Sequence, residues 1–210
     1  TARASAGGTL SAGGQIRIDG QLVEDVEQTS FAFGGGFVGL GASVSIVNNA
    51  STAQAFIADG ARVNTASAIH ITAAGNQVFD VDTLGLQVGV VAAGASFSRV
   101  AVGNPGATDT YAGIGADARI GEDGTVGAVT VKASSRINID QNTFAMAGGV
   151  VGLTFNFAYA DVTADVRATI GSGGQLRSAG AVTVTAGTEH DAEVDVFSLS
   201  VGGLAGGLSL

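Results

Sequence analysis

The sequence predicts an all-β protein, a β-solenoid (parallel β-helix) built from four copies of a 53–60 residue repeat. Three observations predict it. The first is the repeat itself. The four copies align at Leu10-Ser-Ala-Gly-Gly-Gln-Ile-Arg-Ile18, Val63-Asn-Thr-Ala-Ser-Ala-Ile-His-Ile71, Ile120 through Val129-Thr-Val131, and Leu176-Arg-Ser-Ala-Gly-Ala-Val-Thr-Val184. A second landmark follows each: Phe33-Gly-Gly-Gly36, Leu86-Gln-Val-Gly89, Met146-Ala-Gly-Gly149 and Leu199-Ser-Val-Gly202. Both landmarks are spaced by 53, 60 and 53 residues, and two independent markers agreeing makes chance similarity a poor explanation. A fixed period of this size means stacked supersecondary units rather than one irregular globule.

The second observation is period-two alternation with β-branched residues, the signature of half-buried strands. It runs through Gln15-Ile-Arg-Ile-Asp19, Ala68-Ile-His-Ile-Thr72, Val129-Thr-Val-Lys132 and Ala181-Val-Thr-Val-Thr185, and resumes later in each unit, as in Ser43-Val-Ser-Ile46 and Thr154-Phe-Asn-Phe157. No long stretch combines a 3.6-residue period with Leu, Glu or Lys, so helices are not expected. The third observation is composition. Gly is 34 of 210 residues, Pro only 1, yet 46% of the chain is hydrophobic and 13% charged. Disordered glycine-rich chains lack that apolar content. A core of small residues suits closely stacked strands.

Each unit opens on a strand–turn–strand phrase: Ile57-Ala-Asp-Gly-Ala-Arg-Val63, Ile114-Gly-Ala-Asp-Ala-Arg-Ile120 and Ile170-Gly-Ser-Gly-Gly-Gln-Leu176. Asp19-Gly20, Asp59-Gly60 and Asp123-Gly124 read as tight turns. The extra residues of the longer spacing fall near Asn104-Pro-Gly106 and Glu122-Asp-Gly-Thr125, where solenoids accept insertions. No composition break divides residues 1–210, so the chain reads as one continuous β-repeat array. Thr1 falls inside one repeat and Leu210 inside another, the expectation for a segment of a longer protein. The unit is too long for one ordinary β-helix coil. It fits two or three coils, or long strands folded back on themselves. Two coils per unit would make eight coils and a stack of about 40 Å at 4.8 Å per strand. The apolar glycine segments (Phe33 to Leu40, Val88 to Gly94, Met146 to Leu153, Leu199 to Leu208) are expected inside, where backbones approach closely. Period two does not reveal strand direction, so long antiparallel strands in a sandwich or prism fit the same pattern.

The charge balance excludes several partners. Net charge is −9 with a pI near 4.4, and Lys132 is the only lysine. A nucleic-acid surface needs a basic face, and docking to anionic lipid needs the same. Cysteine is absent, which removes disulfides and thiolate metal sites. Thr29 to Ala58 carries no charge, but its glycines, serines and asparagines argue against a membrane-inserted helix.

The phrase at Ile170 to Ala186 resembles the pattern Ile-Gly-x-Gly-x-x-Val-x-Ala-x-Gly-x-Val-x-Val-x-Ala, typical of very large bacterial surface adhesins, the filamentous-haemagglutinin-like and leukotoxin-like repeat proteins. The resemblance covers essentially the whole chain through low-specificity motifs. It implies a secreted bacterial protein at the cell surface, forming a rod-like stalk or extracellular filament with a role in adhesion, aggregation or biofilm matrix. It implies no catalytic residues. Expected partners are further copies of the protein and cell-surface or matrix polysaccharide, with no nucleic acid and no membrane insertion.

Candidate chemistry is sparse. Glu27, Asp80, Asp140 and Glu193 share one repeat register, and Asp82 and Asp195 another. In-register stacking would raise the first four into an acidic column. Such a column would either bind Ca²⁺ through carboxylate oxygens or serve as a solvated edge that discourages lateral sticking. No other cofactor is expected. A Ca²⁺- or carbohydrate-binding module is therefore the alternative function, and a carbohydrate-active β-helix a further one. The latter needs an acid, a base and a cleft in one place, whereas here the repeat spreads the charges, so the chain is expected not to be an enzyme. His70, between Ile69 and Ile71, is expected to point outward, and His190, in Thr188-Glu-His-Asp191, to be exposed. Gly113-Ile-Gly115 lacks the helix that a dinucleotide loop requires.

Overall fold

A computed structural model describes all 210 residues, and it is a parallel β-solenoid without helices. Each repeat forms one layer. The first contains β1 (Ala2–Ala6), β2 (Thr9–Ser11) and β3 (Gln15–Asn49). The second contains β4 (Ala53–Ile57) and β5 (Arg62–Val102). The third contains β6 (Thr110–Ile114), β7 (Arg119–Ile120), β8 (Val126–Gly148) and β9 (Val151–Val162). The fourth contains β10 (Val166–Ile170), β11 (Gln175–Leu176), β12 (Val182–Val201) and β13 (Leu204–Ser209).

Every strand pairs in parallel with its counterpart in the next layer, which rules out the antiparallel sandwich or prism. One unit is thus one coil. Of the two paths the unit length allowed, two or three coils or long strands folded back on themselves, the second is the one taken, so the stack has four layers and is about 19 Å tall rather than the 40 Å of eight coils. The length of the unit goes into a long arm that runs out and folds back within its own layer.

Near the first strands the coil closes around an aliphatic prism. Its columns follow from the alternation: Ala6, Ile57, Ile114 and Ile170 stack, as do Leu10, Val63, Ile120 and Leu176. Ile16, Ile69, Val129 and Val182 form another column beside Ile18, Ile71, Val131 and Val184. In the two inner layers these residues are wholly buried. The first corner of each layer needs a left-handed residue: Gly8, Gly60 and Gly173 have φ of 74°, 66° and 71°, and Asp117 takes the place of glycine at 54°. Aspartate tolerates that region better than most residues. Asp59-Gly60 is a turn as expected. Asp19-Gly20 is not: it lies inside β3, and a Cβ on Gly20 would stand 2.2 Å from the Gln54 carbonyl oxygen.

Beyond the prism the arm continues as a two-walled blade. In the second layer the outgoing wall is residues 76–88 of β5 and the returning wall residues 91–102. Next to the prism the walls enclose a second apolar cluster of Val47, Phe79, Val81, Val100, Val102, Ile137 and Ile139. Farther out the chemistry reverses. Inward positions become Thr83, Gly85 and Gln87, faced by Gly94, Ser96 and Ser98, while Leu84, Val88, Val91 and Phe97 point outward. Thr83 Oγ1 donates to Ser45 Oγ at 2.8 Å, Ser30 Oγ to the Val44 carbonyl at 3.2 Å, and Gln141 Nε2 to Ser98 Oγ, each bond joining the two walls. Toward the tip the walls meet backbone to backbone, a Cβ on Gly34 standing 2.7 Å from the Leu40 carbonyl oxygen, and the layers stack as tightly, a Cβ on Gly149 standing 2.0 Å from the Gly89 carbonyl oxygen of the layer beneath.

The glycine segments therefore do bring backbones close, as expected, but their apolar side chains are not inside. Phe33 is 63% and Leu40 66% exposed. In this outer part both walls are apolar outside and polar or small within, with Ala92, Ala145 and Ala147 buried beside the hydroxyls and amides.

Candidate functional site

The acidic column forms as the spacing required. Glu27 pairs with Asp80, Asp80 with Asp140, and Asp140 with Glu193, each on an outward position of the outgoing wall. Asp82 and Asp195 lie two residues farther along, in a column with Thr29 and Asn142. Adjacent layers hold these groups about 4.8 Å apart along the ladder. Asn142 Nδ2 donates to Asp140 Oδ1 at 3.1 Å. No three carboxylates or imidazoles converge tightly enough to hold a metal ion. The geometry is a ladder of side-by-side acids, like charges facing water at the base of the blade.

His70 points outward between the buried Ile69 and Ile71, in a column with Arg17, Thr130 and Thr183. His190, in the last layer, is exposed and pairs with Ile137 of the third. Gly113 and Ile114 end strand β6, with no helix following. Arg17 pairs with Asp19, Arg119 with Glu122, Arg136 with Glu189 and Arg167 with Asp165, all as partly exposed ion pairs.

The most connected polar group was not marked by any motif. Glu24 is held by Ser51 Oγ and Asn49 Nδ2, and by Gln77 Nε2 at 3.0 Å. Partial burial pushes its carboxyl up, but these hydrogen bonds outweigh burial and hold it below its ordinary value of 4.5. The network ties the returning end of the first layer to the outgoing wall of the first and second. Its traceable signal is register: Glu24 lies 53 residues before Gln77, at an inward position.

The blade surface is the larger feature missed by motif reading. Its signal is a change of hydrophobic phase. Ile69, Ile71, Phe79 and Val81 are odd-numbered, and then Leu84, Leu86 and Val88 are even. The same change separates Ile139 from Phe144 and Val196 from Phe197. A bulge could absorb the change and keep apolar residues inside. Here the register runs through without a shift, so the apolar residues turn outward. Phe144 and Phe197 stack with centroids 5.4 Å apart and planes 11° from parallel, on the outer face.

Compared with protein-family models, with curated proteins and with solved structures, the chain matches none.

Proposed function

We propose that the chain is a structural, adhesive segment of a long extracellular bacterial protein, a stalk or filament serving cell adhesion, aggregation or matrix. The observation that carries this reading is one-layer-per-repeat stacking in unbroken register. Such a body grows by adding layers without altering those already there. Its function then lies in length and in faces that repeat along it. The outer edge of the first layer and that of the last carry unpaired strand groups, the surface onto which further layers add. The acids are spread as a column instead of being gathered in a cleft, which supports the same reading over catalysis.

Electron microscopy of arrays with increasing repeat number tests it. The expected result is a rod that lengthens by about 4.8 Å per repeat. Compact particles of constant length would overturn the proposal.

A further inference from the structure

The returning wall of the blade presents one broad apolar face. Its outward columns are Val38, Val91, Val151 and Leu204; then Leu40, Ala93, Leu153 and Gly206; then Ala42, Ala95, Phe155 and Leu208; then Val44, Phe97, Phe157 and Leu210. Leu40, Val44, Leu153, Phe155 and Leu210 are between 42% and 66% exposed. A fifth column, Ile46, Arg99 and Tyr159, borders the base, and Asp161 follows two residues beyond Tyr159. The register is continuous from Val38 to Asn49, so the face is regular.

Five outward positions along the strand and four layers across it span about 33 by 19 Å, or about 600 Å² of face. That is the upper end of the patch a monomer leaves open. Two such faces together bury about 1,200 Å², the threshold of a stable protein interface.

We propose that this face is an interface between two copies of the chain, packed returning wall on returning wall about a two-fold axis parallel to the strands. The proposal deepens the structural reading above and rests on it. The charges at the base are self-complementary under that symmetry. The axis reverses layer order while leaving strand direction unchanged, and, set between the second and third layers, it lays layer two of one copy on layer three of the other. Arg99, in layer two, then lies over Tyr159 of the second copy and within reach of that copy's Asp161. A guanidinium over an aromatic ring beside a carboxylate is favourable twice over, and the two-fold makes the contact twice. Aligned packing of two sheets face to face, about 10 Å apart, then sets Leu40 over Gly206, Ala93 over Leu153 and Ala95 over Phe155 of the second copy, large on small.

A lipid bilayer is the competing cover for an apolar blade, and the structure disfavours it. The acidic body, at net charge −9, offers no basic rim for anionic headgroups.

Sedimentation equilibrium of the intact chain over a micromolar concentration range, with matched variants, decides the question. The expected result is a reversible dimer. Phe155→Glu on the interface abolishes it with an unchanged circular dichroism spectrum, while Phe33→Glu on the opposite wall leaves it intact. Arg99→Asp weakens the dimer by about tenfold or more, and Asp161→Arg added to it restores association. A chain that stays monomeric, a dimer indifferent to Phe155→Glu, or a monomer that floats with phosphatidylcholine vesicles would each overturn the proposal. Rods that lengthen with repeat number yet remain single would refute this interface and leave the structural function standing. Dimers that never build rods would do the reverse.

Discussion

Truncating Phe79 separates the observed arrangement of the arm from its mirror reading. Phe79 is fully buried in β5, among Val47, Val81, Val100, Val102, Ile137 and Ile139. Phe33 lies on the outer face of the blade at 63% exposure. Removing a buried phenyl ring costs its transfer free energy and leaves a cavity, about 3–5 kcal/mol for Phe→Ala. The neighbouring strands are locked at both sides by the ladder, so the cavity has little room to collapse. Phe79→Ala is therefore expected to cost about 4 kcal/mol, and Phe33→Ala about 0.5 kcal/mol or less. With a urea m-value of about 3 kcal/mol/M, the first variant lowers the unfolding midpoint by about 1.3 M and the second by less than about 0.2 M. Urea titration followed by circular dichroism reads both. Equal losses, or a larger loss at Phe33, would mean that the apolar residues of the blade pack inward, and the reasoning on its outer faces would fall.

Four further outcomes follow from the same geometry. Gly149→Ala places a methyl 2.0 Å from the Gly89 carbonyl oxygen and is expected to cost about 1–3 kcal/mol, whereas Gly148→Ala, with nothing within 4 Å, is neutral in the same thermal melt. Gln87 is fully buried and neither end of its amide has a hydrogen-bond partner, so Gln87→Met is expected to stabilise the fold by about 1–3 kcal/mol in urea titration. Glu24 has its folded pKa below the ordinary 4.5, so its contribution is present above that value and lost as pH falls through the folded pKa; Glu24→Gln flattens that part of the acid limb in a plot of stability against pH. Asp140 stands between Asp80 and Glu193, and Asp140→Asn is expected to stabilise by about 0.5 kcal/mol, with a smaller gain in high salt.

Much of the fold is legible in the sequence because a parallel stack turns residue spacing directly into spatial columns. The 53- and 60-residue spacings alone set Ile18 on Ile71, Ile71 on Val131 and Glu27 on Asp80, and the ladder keeps those pairs. The number of coils is not legible, since a spacing gives the distance between stacked residues and is silent on the path between them. Asp19-Gly20 misleads because its glycine is required by contact with Gln54, and a dipeptide cannot distinguish that from a turn. The blade misleads for a deeper reason. Alternation marks two faces but not which is inner, and apolar residues are assigned inward by default. The phase change between Val81 and Leu84 carries the missing information, but its meaning depends on the absence of a bulge, which only the ladder reveals.

One layer per repeat also has a mechanical consequence. A layer adds about 4.8 Å to the stack but stores 53 or more residues, about 180 Å of extended chain. Tension that peels an end layer therefore releases slack nearly forty times the height lost, and the next layer beneath presents the same edge. Such a body yields in similar steps under load, one layer at a time, and the work of each step is set by a single ladder, whatever the length of the rod.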